Sequence, residues 1–214
     1  MAKIKAINSK KYFDRVADQW DSMRKSFFSE KVREKAFETA GVISGKLAAD
    51  IGAGIGFITE GLVRKGARII AVDQSENMLK EMRKRFLKFS KIDYRLGTAE
   101  KIPIPDRTVD YVFANMVLHH VDSPSDVIKE MTRILKSGGK LVITDLDEHN
   151  FEFLRTEHHD RWMGFKRDDV RKWLIDAGLS DARIDCVGEN CCATSSCGCQ
   201  NTSISIFIAF GQKK

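Results

Sequence analysis

The fold of this chain is constrained most by one short segment, Ala49-Asp50-Ile51-Gly52-Ala53-Gly54-Ile55-Gly56. It follows an apolar run, KLAADI (46–51), and opens an amphipathic one, GFITEGLVRK (56–65), stopped by Gly66. Glycines between a strand and a helix permit a tight turn, let a ligand approach the backbone, and leave helix N–H groups aimed at an anion. A second apolar run, RIIAV (68–72), ends in Asp73, twenty-one residues beyond Gly52. A carboxylate at that point is placed to accept from ribose hydroxyls.

The rest of the chain repeats the same alternation. ENMLKEMRKRFLKF (76–89) reads as a helix, IDYRL (92–96) and TVDYVFAN (108–115) as strands. Ser123-Pro124 starts a helix through Leu135, ended by Gly138-Gly139, and KLVITDL (140–146) follows as a strand. RDDVRKWLIDAG (167–178) is a helix closed by Gly178, and ARIDCV (182–187) and SISIFIAF (203–210) are the last strands. Strands and helices at this spacing predict an α/β fold with a doubly wound, mostly parallel sheet. The last two strands have no helix between them, only residues 188–201, and so predict an antiparallel hairpin. Residues 146–166 are too long for a simple connection and predict a functional insertion. Ahead of the sheet, 9–24 places Phe13, Val16, Ala17 and Trp20 at helical spacing after a Ser9 cap. Residues 30–40 predict a second helix, with Ser29 as cap and Gly41 at its end.

At 214 residues the chain makes one domain. No run of about 18 apolar residues is present, so no membrane span is expected. The basic N-terminus lacks an apolar stretch after it, which predicts no secretory signal and a cytoplasmic location. The net charge of +6 owes much to KEMRKRFLKFSK (80–91), read as a solvated helix face. Without aromatic-interleaved basic strands or zinc-finger spacing, nucleic acid is not an expected partner.

The ligand class follows from charge. A dinucleotide would bring a pyrophosphate to this turn, where Asp50 repels it, and Phe57 stands where the GxGxxG fingerprint needs its last glycine. A ligand bearing both an ammonium and a carboxylate fits better, and S-adenosylmethionine has such an end together with a ribose for Asp73.

ADIGAGIG, AVDQSENML, GTAEKIPIPDRTVDYVFANMVLHHV and EMTRILKSGGKLVITD resemble the successive motifs of class I S-adenosylmethionine-dependent methyltransferases. The resemblance is to the small-molecule branch that includes ubiquinone and menaquinone methyltransferases, and FDRVADQWD resembles its cofactor lid. It implies a Rossmann-like, seven-stranded sheet with a C-terminal antiparallel hairpin, behind N-terminal lid helices in 1–45. By that resemblance the core spans 46–145, with Asp50, Gly52, Ala53, Gly54 and Gly56 around the methionine end of S-adenosylmethionine. Asp73 would hold the ribose, Gln74, Met78, Thr98, Ala99 and Glu100 the adenine, and Asn115 would lie beneath the sulfonium. Thr98 departs from the family, which often has Asp there, but its hydroxyl can still accept.

All five histidines fall between 119 and 159, after strands whose carboxyl ends form the ligand face. His119, His120 and His149 are the candidate catalytic groups. Tyr12, Trp20, His149, His158, Trp162, Cys191 and Cys192 are candidates for the acceptor site, with Met163 and Phe165 beside Trp162. All five cysteines lie between Cys186 and Cys199. Cys191, Cys192, Cys197 and Cys199 match no zinc-ribbon spacing, yet their density makes them candidate metal or metalloid ligands. Three readings follow: a methyltransferase for a small organic acceptor, one for a thiophilic acceptor such as arsenite or a thiol, and an S-adenosylmethionine-binding metal or redox sensor without turnover. Arsenite methyltransferases share the fold and use cysteines. A monomer or homodimer is expected in each.

Overall fold

A computed structural model of the protein describes residues 9–214, with side chains from Lys10 onward, so the Ser9 cap lies outside the described side chains. Helices α1 (Ser9–Val16), α2 (Trp20–Phe27) and α3 (Lys31–Ala40) precede β1 (Leu47–Ile51), α4 (Phe57–Arg64) and β2 (Arg68–Asp73). Then come α5 (Glu76–Arg85), β3 (Ile92–Leu96), β4 (Val109–Asn115), a 3-10 turn at Leu118–His120, and α6 (Pro124–Ile134). β5 (Leu135–Leu146), a π turn at Leu154–His158, α7 (Arg167–Asp176), β6 (Leu179–Thr194) and β7 (Asn201–Lys213) complete the chain.

The seven strands form one sheet in the order β3-β2-β1-β4-β5-β7-β6. β3, β2, β1, β4 and β5 run parallel, and β7 is antiparallel to both β5 and β6. The order reverses between β1 and β4, the switch point at which such sheets open a crevice. Alternate residues of each strand feed opposite cores. Ala48, Ile69, Ala71, Phe113 and Phe210 pack with α3, α4 and α5 on one face. Ala49, Ile70, Val72, Val112 and Phe207 pack with α6 and α7 on the other.

Four local features differ from the sequence reading. The helix expected over 9–24 breaks into α1 and α2, because Trp20 must fold back onto the glycine turn; Phe13, Val16 and Trp20 pack against Ala17, Ile55 and Met78. Helix α5 stops at Arg85, since Phe86 turns inward and is buried while Leu87 stands in solvent. Glu30, not Ser29, takes the N-cap position of α3, and Ser29 Oγ, while accepting from the Lys31 amide at 3.2 Å, donates to Glu189 of β6. The segment 188–201 is mostly strand, Thr194 pairing with Asn201, so the turn shrinks to 195–200. Small polar residues and thiols mask the alternation there: Cys191 and Ala193 face inward, Cys192 and Thr194 outward.

Candidate active site

The glycine turn is built from below. Asp50 is 1% exposed, and its Oδ2 accepts from the Thr59 amide at 3.0 Å and the Thr59 hydroxyl at 2.7 Å. It thereby ties β1 to the first turn of α4. Burial raises its pKa to about 7. The carboxylate lies under the turn, where it is not among the residues lining the cavity. Gly56 is likewise outside the lining; a Cβ there would come within 2.5 Å of Phe86, so it serves packing. Gly52 does face the cavity, at φ +66, with a hypothetical Cβ only 2.5 Å from Val117.

Asp73 closes the turn from the side. Its Oδ2 accepts from the Gly54 amide at 2.8 Å and its Oδ1 from the Ser75 amide at 2.8 Å. Burial raises its pKa to about 6 despite these donors. Gly52, Ala53, Gly54, Asp73, Gln74, Met78, Thr98, Ala99, Glu100 and Asn115 all line one cavity of about 370 Å³. Asn115 is held by Thr144, whose hydroxyl donates to its Oδ1 at 2.8 Å. Met116 follows at φ 55, a left-handed conformation that a bulky residue adopts only under constraint, at the floor of the cavity.

The sequence reading missed Arg24. It lies one turn beyond Trp20 on α2 and lines the cavity at 4% exposure. Its guanidinium stacks 4.3 Å from the Phe57 ring centroid, and its nearest carboxylate contact, to Asp21, is 3.9 Å. Nη1 is buried without a hydrogen-bond partner among the described residues. Burial lowers its pKa. An orphaned cation over a glycine turn with free helix amides marks a place for an anion. The only trace in sequence was its position four residues after Trp20 on the lid's inner face.

The same cavity continues between the lid and the β6–β7 hairpin. Tyr12, Trp20, His158 and Cys191 line it, with Phe13, Phe27, Leu154 and Ala193. Edge-to-face contacts order the aromatics: Phe13 to Trp20 at 5.2 Å, Phe13 to His120 at 5.0 Å, and Phe27 to His158 at 5.4 Å. The polar groups that meet most closely in this half are His119, His120 and Asp160, with Tyr12, Asp122, His158 and Arg161 also on the lining. His119 Nδ1 is 2.7 Å from Asp145 Oδ1, and Nε2 is 3.8 Å from Asp160 Oδ1. Burial opposes the charged imidazole, yet Asp145 and Asp160 outweigh it and hold His119 up at about 9. Burial raises Asp160 to about 6 and, with His119 beside it, pushes His120 well below its ordinary value. Cys191 is pushed up to about 12 by burial, so its thiol stays protonated.

Other candidates fall outside. His149 and Trp162 line a second, more open hollow with Met163; His149 Nε2 is buried without a hydrogen-bond partner among the described residues, and Trp162 Nε1 donates to the Val121 carbonyl at 2.9 Å. Phe165 is buried in the core. The cysteines do not converge: Cys192 and Cys186 are exposed, Cys197 and Cys199 share a disulfide, and Cys191 alone faces the cavity.

Residues 49–143 match the family model described as a methyltransferase domain. The demethylmenaquinone methyltransferase of Thermobifida fusca is 32% identical over 167 residues, covering 76% of this chain and 69% of that protein. The demethylmenaquinone methyltransferase of Tropheryma whipplei is 32% identical over 139 residues, 64% of this chain; the chain spans 58% of that relative's length. Among solved structures, a SAM-dependent methyltransferase from Aquifex aeolicus superposes with a TM-score of 0.67 at 21% identity, covering 94% of this chain and 98% of that one.

Proposed function

This chain belongs to the class I S-adenosylmethionine-dependent methyltransferases, and from that premise we propose that it methylates a small, largely apolar organic acceptor. One observation carries the reading: a single cavity joins the glycine turn and Asp73 to an aromatic-walled half under the lid.

The residues present fit the cofactor. Arg24 Nη1, buried and unpartnered, would take the carboxylate of its amino-acid end, beside the amides opening α4. Asp73 would accept from the ribose hydroxyls, while Met78 and Ala99 flank the adenine and Thr98 accepts from its amino group. Bound there, S-adenosylmethionine supplies a methyl group on a sulfonium, open to in-line attack by a nucleophile.

The chain's own contribution is position and exclusion of water. Phe13, Trp20 and Phe27 cover the acceptor half, and Asn115 and Met116 form its floor where the two halves meet. Apolar walls with few convergent polar groups suit a flat, apolar acceptor carrying one ionisable atom. The relatives named as demethylmenaquinone methyltransferases favour a quinol-like ring among such acceptors. The thiophilic reading is the weaker one, because a soft-ion site needs several thiols together and only Cys191 reaches the cavity.

Purified, thiol-reduced protein should form S-adenosylhomocysteine when given reduced quinols or substituted phenols, and should keep doing so after Cys192→Ser. Turnover that needs arsenite plus a small thiol, and is lost in Cys191→Ser, would put the thiophilic acceptor in its place. Binding of S-adenosylmethionine without turnover on any of these acceptors would support the sensor.

A further inference from the structure

His119, His120 and Asp160 meet in the acceptor half in a way that hydrogen bonding does not explain. Asp160 is 3% exposed and lines the cavity, and its carboxylate stands opposite two imidazole nitrogens beyond hydrogen-bond range. It faces His119 Nε2 at 3.8 Å and His120 Nδ1 at 3.9 Å. A buried carboxylate left in this way is costly unless a cation completes it.

The surroundings are those of ligands being held for a metal. Asp145 accepts from the Leu118 amide at 2.9 Å and the Leu146 amide at 2.8 Å, as well as from His119 Nδ1. With Nδ1 committed to a carboxylate, the ring is fixed and Nε2 is presented to Asp160, the carboxylate–histidine arrangement that orients metal-binding imidazoles. His120 Nδ1 has one other neighbour, the His159 carbonyl at 3.4 Å, a contact at the outer limit of a hydrogen bond. The two segments are clamped together: the Arg161 and Trp162 amides donate to the His119 carbonyl at 2.8 and 3.1 Å.

The three ligand atoms lie within 4.8 Å of one another. Bonds of about 2.0–2.1 Å place tetrahedral zinc ligands about 3.3 Å apart. Closing from 3.8 and 3.9 Å, and from up to 4.8 Å for the widest pair, therefore needs side-chain movements of about half to one and a half ångströms. Two imidazoles and one carboxylate select a first-row transition ion over magnesium or calcium.

We propose that His119 Nε2, His120 Nδ1 and the Asp160 carboxylate bind one divalent first-row transition-metal ion, whose remaining coordination positions open into the acceptor half of the cavity. Three protein ligands with open positions are the pattern of reactive rather than structural metal sites. The location rests on the methyltransferase reading for its use: an acceptor oxygen would take an open position. The metal binding itself does not depend on that reading.

The test is titration of chelator-stripped protein with Co²⁺ in a Cys186→Ser/Cys192→Ser background, which removes the exposed thiols. One equivalent should bind, with visible d–d absorption. His120→Ala and Asp160→Asn should each weaken it at least tenfold, with circular dichroism confirming the fold of both. No binding, or binding that survives both substitutions, overturns the proposal and leaves His119 as a protonated bridge between two carboxylates. S-adenosylmethionine is titrated separately. Protein that binds it but not Co²⁺ refutes the metal alone, whereas protein that binds Co²⁺ but not S-adenosylmethionine refutes the proposed function alone.

Discussion

Arg24 and Asp73 carry opposite ends of the proposed cofactor site, and each has a distinct signature. Arg24 is a cation whose buried Nη1 has no hydrogen-bond partner among the described residues, and the proposed carboxylate would supply one. Charge-assisted hydrogen bonds in a desolvated place are strong, so Arg24→Ala should weaken S-adenosylmethionine binding about ten- to a hundredfold, read by calorimetry. Unchanged affinity would remove Arg24 from the site. For Asp73 the signature is pH. Its folded pKa is raised to about 6, so below that value a proton occupies the acceptor that the ribose needs. Affinity should therefore rise about tenfold between pH 5 and pH 7, as that single proton is lost. Asp73→Asn should bind more weakly and flatten that rise. The place of Asp73 at the end of β2, beside the glycine turn, was legible because the apolar run before it marks where the strand stops. The prop that Asp50 forms under the turn was not legible, because an acid beside glycines looks the same whether it faces a ligand or ties β1 to α4, and the contact with Thr59 appears only in the fold.

At the scale of elements, α3 and α4 show how tightly the cofactor turn is backed. Gly61 lies inside α4, and a Cβ there would meet Phe37 Cε2 at 2.2 Å and Arg33 Cδ at 2.8 Å. Neither neighbour can yield: Phe37 is fully buried, and Arg33 is fixed by Glu30 at 2.6 Å, Glu60 at 2.8 Å and the Phe57 carbonyl at 3.0 Å. Alanine improves helix propensity by about 1 kcal/mol, but overpacking costs about 1–3 kcal/mol. The clash should win, and Gly61→Ala should lower the melting temperature by a few degrees. A rise would mean that α3 moves freely over α4. Elements defined by long periodic runs, such as α4, β4 and α6, were readable because burial on one face writes itself into the sequence. The break between α1 and α2 was not, since the apolar spacing of Phe13, Val16 and Trp20 continues across it and only packing on Ile55 and Met78 bends the chain. The reach of β6 into the cysteine segment was hidden for a related reason: thiols and small polar residues carry little contrast between faces.

Across the whole molecule, the strand order β3-β2-β1-β4-β5-β7-β6 brings residues from the lid, five strand ends and the hairpin to one crevice. Ser29 joins the lid to β6 through Glu189, and Ser196 at the hairpin turn donates to Glu157 of the insertion, so three separate segments frame the acceptor half. Among the described residues no helix is long and apolar enough to cross a membrane. The sheet and its terminal hairpin could be anticipated from alternation and motif order. The acceptor half could not, because His119, Asp145 and Asp160 meet only through the fold and no short-range spacing links them. The account turns on this crevice being a cofactor site, and equilibrium dialysis of the purified protein against labelled S-adenosylmethionine tests that most directly. One equivalent bound in the micromolar range, and strongly weakened in Asp73→Ala, is the predicted result; no saturable binding, or affinity unchanged by that substitution, would contradict it.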